Sequence, residues 1–153
     1  MVYTVTFNPA VDYIVHTKQL IAGATNRSDS EEIYFGGKGI NVSIVLSELG
    51  VKSKALGFVA GFTGEAIEKG VAEKGIDADF VHLNEGFSRI NVKIKSGEET
   101  ELNGQGPKIT DEAIRELYAK LDEIQDGDTL VLAGSIPSSL PADIYERILE
   151  RLS

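Results

Sequence analysis

A chain of 153 residues can bury about 68–70% of the surface its unfolded form exposes, so a sizeable core needs no staples, and there is no cysteine to make disulfides. Hydrophobic residues at 42% and charged residues at 25% exclude a disordered chain, and no apolar run approaches the ~20 residues of a transmembrane helix. A formal charge of −9 works against nucleic-acid partners, although a few placed cations and backbone amides can still hold a small anion. The opening Met1-Val2-Tyr3-Thr4 has no basic stretch and no small-residue cleavage site of a secretory signal. A cytoplasmic protein is expected.

Val2–Phe7 is rich in β-branched and aromatic residues, apolar on both faces, and ends at Asn8-Pro9; it predicts a buried strand entering a turn. Asp12–Lys18 and Ser28–Phe35 predict two further strands before a glycine-rich turn. Helical spacing follows, with Val42, Val45, Leu46 and Leu49 at i, i+3, i+4 and i+7 and Gly50 closing the run. Ala55–Val59 predicts a strand, Thr63 the N-cap of a helix through Lys74, and Asp79–Leu83 another strand. Alternation of strand and helix is the pattern of a mostly parallel sheet.

Ser88, Ile90, Val92 and Ile94 alternate with Arg89, Asn91, Lys93 and Lys95, and Ser96-Gly97-Glu98-Glu99 turns into Thr100–Asn103. This predicts an antiparallel hairpin with one polar face. With the two early strands it makes a small four-stranded sheet standing off the main layer, here called a lid. The α/β pattern resumes with Thr110 capping a helix that carries Ile114, Leu117, Tyr118 and Leu121 on one side. Thr129–Ala133 predicts a buried strand closed by Gly134, and Pro141 starts a last helix with Ile144, Tyr145, Ile148, Leu149 and Leu152 on one side. The expected division is an α/β core of residues 1–11, 36–85 and 104–153, and a lid of residues 12–35 and 86–103.

The chemistry concentrates first in Phe35-Gly36-Gly37-Lys38-Gly39-Ile40-Asn41-Val42-Ser43. Glycines let the backbone approach a ligand, and the unpaired N–H groups and dipole of a helix start favour an anion. Lys38 adds a full charge. The spacing is neither a Walker A loop nor G-x-G-x-x-G, which argues against a dinucleotide-binding domain; taken alone, the segment reads equally as a glycine-rich turn with a solvated lysine. Asp12 lies just past the end of a buried strand, where open α/β sheets bind ligands, and its alternative is a turn-forming aspartate. Arg89 and Asn91 share a face of their strand, and an arginine fork suits a phosphate; a solvated edge arginine is the alternative. His16 and His82 are isolated, and Asp29-Ser30-Glu31-Glu32 and Asp122-Glu123 read as solvated surface. No metal site follows.

Taken together, Thr6-Phe7-Asn8-Pro9-Ala10-Val11-Asp12, the Gly36–Ser43 segment, Ser88-Arg89-Ile90-Asn91, Glu99-Thr100-Glu101-Leu102-Asn103-Gly104-Gln105-Gly106-Pro107 and Leu132-Ala133-Gly134-Ser135-Ile136-Pro137 resemble, in order, blocks of the ribokinase/phosphofructokinase B family of sugar kinases. The resemblance covers essentially the whole chain. It implies a ribokinase-like α/β fold in which Asp12 and Asn41 hold sugar hydroxyls beside the Gly37 backbone, Arg89 clamps the substrate's phosphate, and Lys38 stabilises transferring charge. Ser135 would close the sugar pocket. Arg27 matches a phosphate-contacting position in relatives whose lids clasp each other as homodimers. The Asn-Gly-x-Gly-Pro run and Phe62-Thr63-Gly64 resemble the branch that phosphorylates fructose 1-phosphate to fructose 1,6-bisphosphate more than the branch acting on tagatose 6-phosphate.

The family's general-base motif, Gly-Ala-Gly-Asp, and its Asn-x-x-Glu motif for metal and nucleotide phosphates occur nowhere in these residues. The resemblance therefore implies an N-terminal half that binds a phosphorylated hexose without transferring phosphate, with ATP and Mg2+ required by the intact enzyme and held by neither motif here. A sugar-phosphate-binding or dimerisation module is the alternative reading.

Overall fold

The computed structural model describes all 153 residues. The chain runs β1 (Val2–Thr6), β2 (Ala10–His16), β3 (Ser30–Gly36), α1 (Lys38–Glu48), β4 (Ser53–Ala60) and α2 (Gly61–Glu73). It continues through β5 (Asp77–Ala78), β6 (Val81–Leu83), β7 (Arg89–Ser96) and β8 (Glu98–Asn103). α3 (Asp111–Leu121), β9 (Thr129–Leu132) and α4 (Ile144–Leu152) complete it.

Alternation along β1 sets the layers. Tyr3 and Val5, with Phe7 beyond the strand, join Leu56 and Phe58 of β4 against Leu117 and Leu121 of α3 and Ile144 and Ile148 of α4. The other face of β1 is not apolar, as expected, but built of threonines. Thr4 Oγ1 and Ser43 Oγ share a buried 2.8 Å hydrogen bond, and Ile40 N–H donates to Thr6 Oγ1 at 3.0 Å. These bonds fasten α1 to the strand, while Ala55 and Val59 of β4 pack with Ile40, Ile67 and Val71. The main sheet has the order β5-β4-β1-β9, with β6 also on β4, and every pairing is parallel. Parallel strands covered by helices on both faces form the expected α/β architecture.

The chain leaves β1 toward β4 by way of α1 and reaches β9, on β1's other side, by way of α3. Helices from the two connections lie on opposite faces, so a crevice opens at the carboxyl ends of β1 and β9. A second sheet, ordered β3-β2-β7-β8, stands over that crevice. Its β2–β7 pairing is parallel and the outer two are antiparallel.

Several local expectations shift. The apolar spacing of α1 had selected Val45 and Leu49, yet these are 53% and 72% exposed. Gly39, Ile40 and Ser43 are the buried residues, because the bonds of Ile40 to Thr6 and of Ser43 to Thr4 fix the helix's rotation. Thr63 does not cap α2. β4 runs straight into the helix, whose N-cap is Ala60 without a side-chain bond, and Thr63 Oγ1 donates instead to the Ser88 carbonyl at 2.7 Å. The strand expected over Asp79–Leu83 is shortened to β6, and the two-residue β5 precedes it. β9 is only half-buried, with β1 as its single strand partner. The last helix begins at Ile144 and leaves Leu149 exposed. Thr110 does cap α3, accepting from Ala113 N–H at 3.2 Å.

Candidate functional site

The crevice holds a cleft of about 240 Å3 between the parallel sheet and the second sheet. Asp12, Gly37, Lys38, Asn41, Arg89 and Ser135 all line it. They come from β2, the entry to α1, α1 itself, β7 and the loop after β9. Arg27 does not line it; it sits exposed in the 17–29 connection, where its carbonyl lies 3.5 Å from the Thr17 hydroxyl.

The glycine-rich turn is shaped by steric contact with β1. Gly37 has φ +143, and a Cβ there would collide with Thr6 Cγ2, so a side chain would push the start of α1 off the strand. No side chain of residue 37 caps the helix, and of the N–H groups at its start that of Ile40 is taken by Thr6 Oγ1 on the strand. Across the cleft, the loop after β9 is held by Tyr145, whose hydroxyl donates to the Gly134 carbonyl at 2.9 Å. The Tyr145 ring stacks on Phe7 at 5.2 Å, and burial pushes its hydroxyl pKa up, keeping the donor protonated.

The wall supplied by the second sheet is charged. Strand alternation aims Arg89, Asn91 and Lys93 at the cleft. Arg89 Nε donates to the Asn8 carbonyl at 3.0 Å, which fixes the guanidinium base while its two terminal nitrogens make no hydrogen bond or ion pair within the protein. Lys38 likewise has no carboxylate within 4.0 Å, and neither does Arg89; Lys93 pairs loosely with Glu101 at 3.8 Å. Two cations without anionic partners, in a protein of net charge −9, favour an anionic ligand at this end. Asp12 receives Asn91 Nδ2 on Oδ1 at 3.1 Å and is in no ion pair, so its second oxygen can accept from a hydroxyl.

Asn8, Lys93, Glu101 and Asn103 also line the cleft and were not singled out from sequence. The period-2 continuation from Arg89 and Asn91 would have reached Lys93, and the hairpin register would have added its partners Glu101 and Asn103. Asn8 carries no such signal, because its contacts run to Arg89 and to the Gln105 carbonyl, far along the chain.

The sequence profile described as pfkB family carbohydrate kinase matches residues 5–153. The chain belongs to the pfkB carbohydrate kinase family. A 1-phosphofructokinase of Bacillus subtilis is 54% identical over 98% of the chain and 49% of its own length. A D-tagatose-1-phosphate kinase of Bacillus licheniformis is 41% identical, again over 98% of the chain and 49% of its own length. A solved structure from Staphylococcus aureus, assigned to the phosphofructokinases, superposes with a TM-score of 0.93 at 42% identity, covering 99% of this chain and 49% of that one. The chain thus spans about half the length of the relatives it matches, and its α/β architecture is that of the ribokinase-like sugar kinases.

Proposed function

We propose that this chain is the sugar-phosphate side of a kinase that transfers the γ-phosphoryl group of ATP to the 6-hydroxyl of fructose 1-phosphate, giving fructose 1,6-bisphosphate. The observation that carries the reading is the convergence of Asp12, Gly37, Lys38, Asn41, Arg89 and Ser135 on one cleft from four separate segments. Asp12 and Asn41 hold ring hydroxyls beside the Gly37 backbone, Arg89 clamps the 1-phosphate, Lys38 faces the transferring group, and Ser135 closes the pocket. Phosphoryl transfer depends on such positioning and on charge stabilisation more than on covalent chemistry.

The nucleotide and its metal are assigned to protein outside these residues. No group of three or more His, Asp or Glu here could hold a metal ion, and neither family motif for base or nucleotide occurs. No helix is long and apolar enough to cross a membrane, and a cytoplasmic location fits the proposed substrates.

A second assignment concerns the second sheet as a lid spanning residues 12–35 and 86–103. On its face away from the cleft, Ile33, Tyr13, Val92 and Leu102 form one row across all four strands, and Ile33 and Leu102 are 59% and 72% exposed. Such a row suits a second copy of the lid, giving a homodimer in which Arg27 could reach a neighbouring site. Lysine or glutamate at both positions should shift the intact protein to monomer in sedimentation.

The substrate reading is tested with Arg89→Ala in the intact enzyme. Losing a charge-assisted contact of about 1.5–3 kcal/mol should raise KM for fructose 1-phosphate roughly 10- to 150-fold while leaving that for ATP nearly unchanged. Tagatose 1-phosphate, suggested by the Bacillus licheniformis relative, and tagatose 6-phosphate are the competing substrates. An unchanged sugar KM would remove Arg89 from the site.

A further inference from the structure

The cleft contains one buried polar group whose own needs are not met. Asn91 is 8% exposed, its Nδ2 donates to Asp12 Oδ1 at 3.1 Å, and its Oδ1 is buried without any partner. Its neighbours on the cleft face of the same strand are Arg89 and Lys93, and a buried amide left half satisfied calls for an explanation. The only partner the amide finds is the carboxylate of Asp12, directly opposite in the β2–β7 register. On the other side of that carboxylate stands Gly36, where a Cβ would lie 2.7 Å from Asp12 Oδ2. Asp12 is therefore held between an amide donor and a bare α-carbon.

We propose that Asn91 is a positioning residue that fixes Asp12 as an obligate hydrogen-bond acceptor, so that the cleft selects ligands presenting a hydroxyl donor at that point. A carboxylate only accepts, and an amide turned to it must offer its amino end. With Oδ1 occupied by Asn91 and Oδ2 running past Gly36 into the cleft, the direction of the sugar hydroxyl's hydrogen is set before binding. This rests on the reading of Asp12 as the sugar-hydroxyl acceptor. The charged and titratable groups facing the pair are Arg89 and Lys93 on β7, Glu101 on β8, Lys38 at the start of α1, and Tyr34 opposite Asp12 on β3. None of them donates to or accepts from Asp12.

The test uses the intact kinase and two variants. Asn91→Leu keeps the branched shape and removes the orphaned carbonyl. It should raise KM for fructose 1-phosphate roughly 10- to 100-fold, the loss of one hydrogen bond to a charged group, with KM for ATP unchanged and thermal stability kept or increased. Asn91→Asp sets a second carboxylate against Asp12. Two adjacent carboxylates resist joint ionisation and hold one proton between them at lower pH, and that proton restores the donor. The ratio of variant to wild-type KM, which cancels titration of the substrate's own phosphate, should therefore fall at least fivefold between pH 8 and pH 5.5. A ratio flat with pH, or an Asn91→Leu enzyme with wild-type sugar KM, would overturn the positioning role while leaving the kinase reading intact. A wild-type enzyme that does not bind fructose 1-phosphate would overturn both.

Discussion

The two walls of the cleft are built on different principles. The wall at the end of the parallel sheet is set by backbone and small buried side chains. Gly37 fits because Thr6 fills the space beside it, and α1 is held by hydroxyls of the buried residues Thr4, Thr6 and Ser43. The wall supplied by β2, β7 and β8 is set by cross-strand side-chain pairs, most of them partly exposed: Asp12 with Asn91, and Lys93 with Glu101. In the first wall a change alters where the ligand's surroundings lie; in the second it alters what they offer. Shape and chemistry can therefore be perturbed separately.

The largest expected effect belongs to the rigid wall. Gly37→Ala introduces a Cβ into Thr6 Cγ2 at a φ that L-residues avoid. The strain alone is about 1–3 kcal/mol, and the displaced helix start should abolish detectable fructose 1-phosphate binding while the melting temperature drops by several degrees. Adding Thr6→Ser removes the methyl yet keeps the hydroxyl that accepts from Ile40. Part of the stability should return in a thermal melt; if none returns, the contact with Thr6 is not what excludes a side chain at residue 37.

A smaller effect separates buried hydroxyls from their setting. Ser43→Ala leaves the Thr4 hydroxyl buried and alone, which should cost about 1–3 kcal/mol. Thr4→Val combined with Ser43→Ala removes both partners and should come close to wild-type stability in urea. A double-mutant cycle showing simple additivity would mean that the 2.8 Å contact does not couple β1 to α1.

The same contrast explains what could be read from sequence. Strand–helix alternation, the glycine-lysine turn and the polar face of the β7–β8 hairpin are local patterns, and they point to the right elements. The rotation of α1 was not legible, because a buried serine and two strand threonines override an apolar stripe of valines and leucines, and their pairing is 39 residues apart. Thr63 shows the same limit: a good capping residue is diverted to the Ser88 carbonyl, which lies 25 residues away. Asn8 carries no sequence signal although its carbonyl anchors Arg89. The Asp12–Asn91 pair spans 79 residues and becomes visible only once β2 and β7 are placed side by side.

The smallest effect tests the second wall by acid. On β3 and beside it, the Ser28 hydroxyl donates to Glu31 Oε1 at 2.6 Å, and this bond, followed by one from Tyr13, holds the Glu31 carboxyl below its usual range. A carboxyl with a depressed folded pKa stabilises the folded form fully above its unfolded pKa of about 4.3, and that contribution disappears as pH falls through the lower folded value. The group is solvent-exposed, so its loss should loosen β2 and β3 without unfolding the parallel sheet. Hydrogen-exchange protection of β2–β3 amides should therefore fall on acidification below about pH 4 while that of β1 and β4 holds, and Glu31→Gln should remove the pH dependence. Loss of protection in both sheets at the same pH would make the two walls one cooperative unit and end the distinction between them.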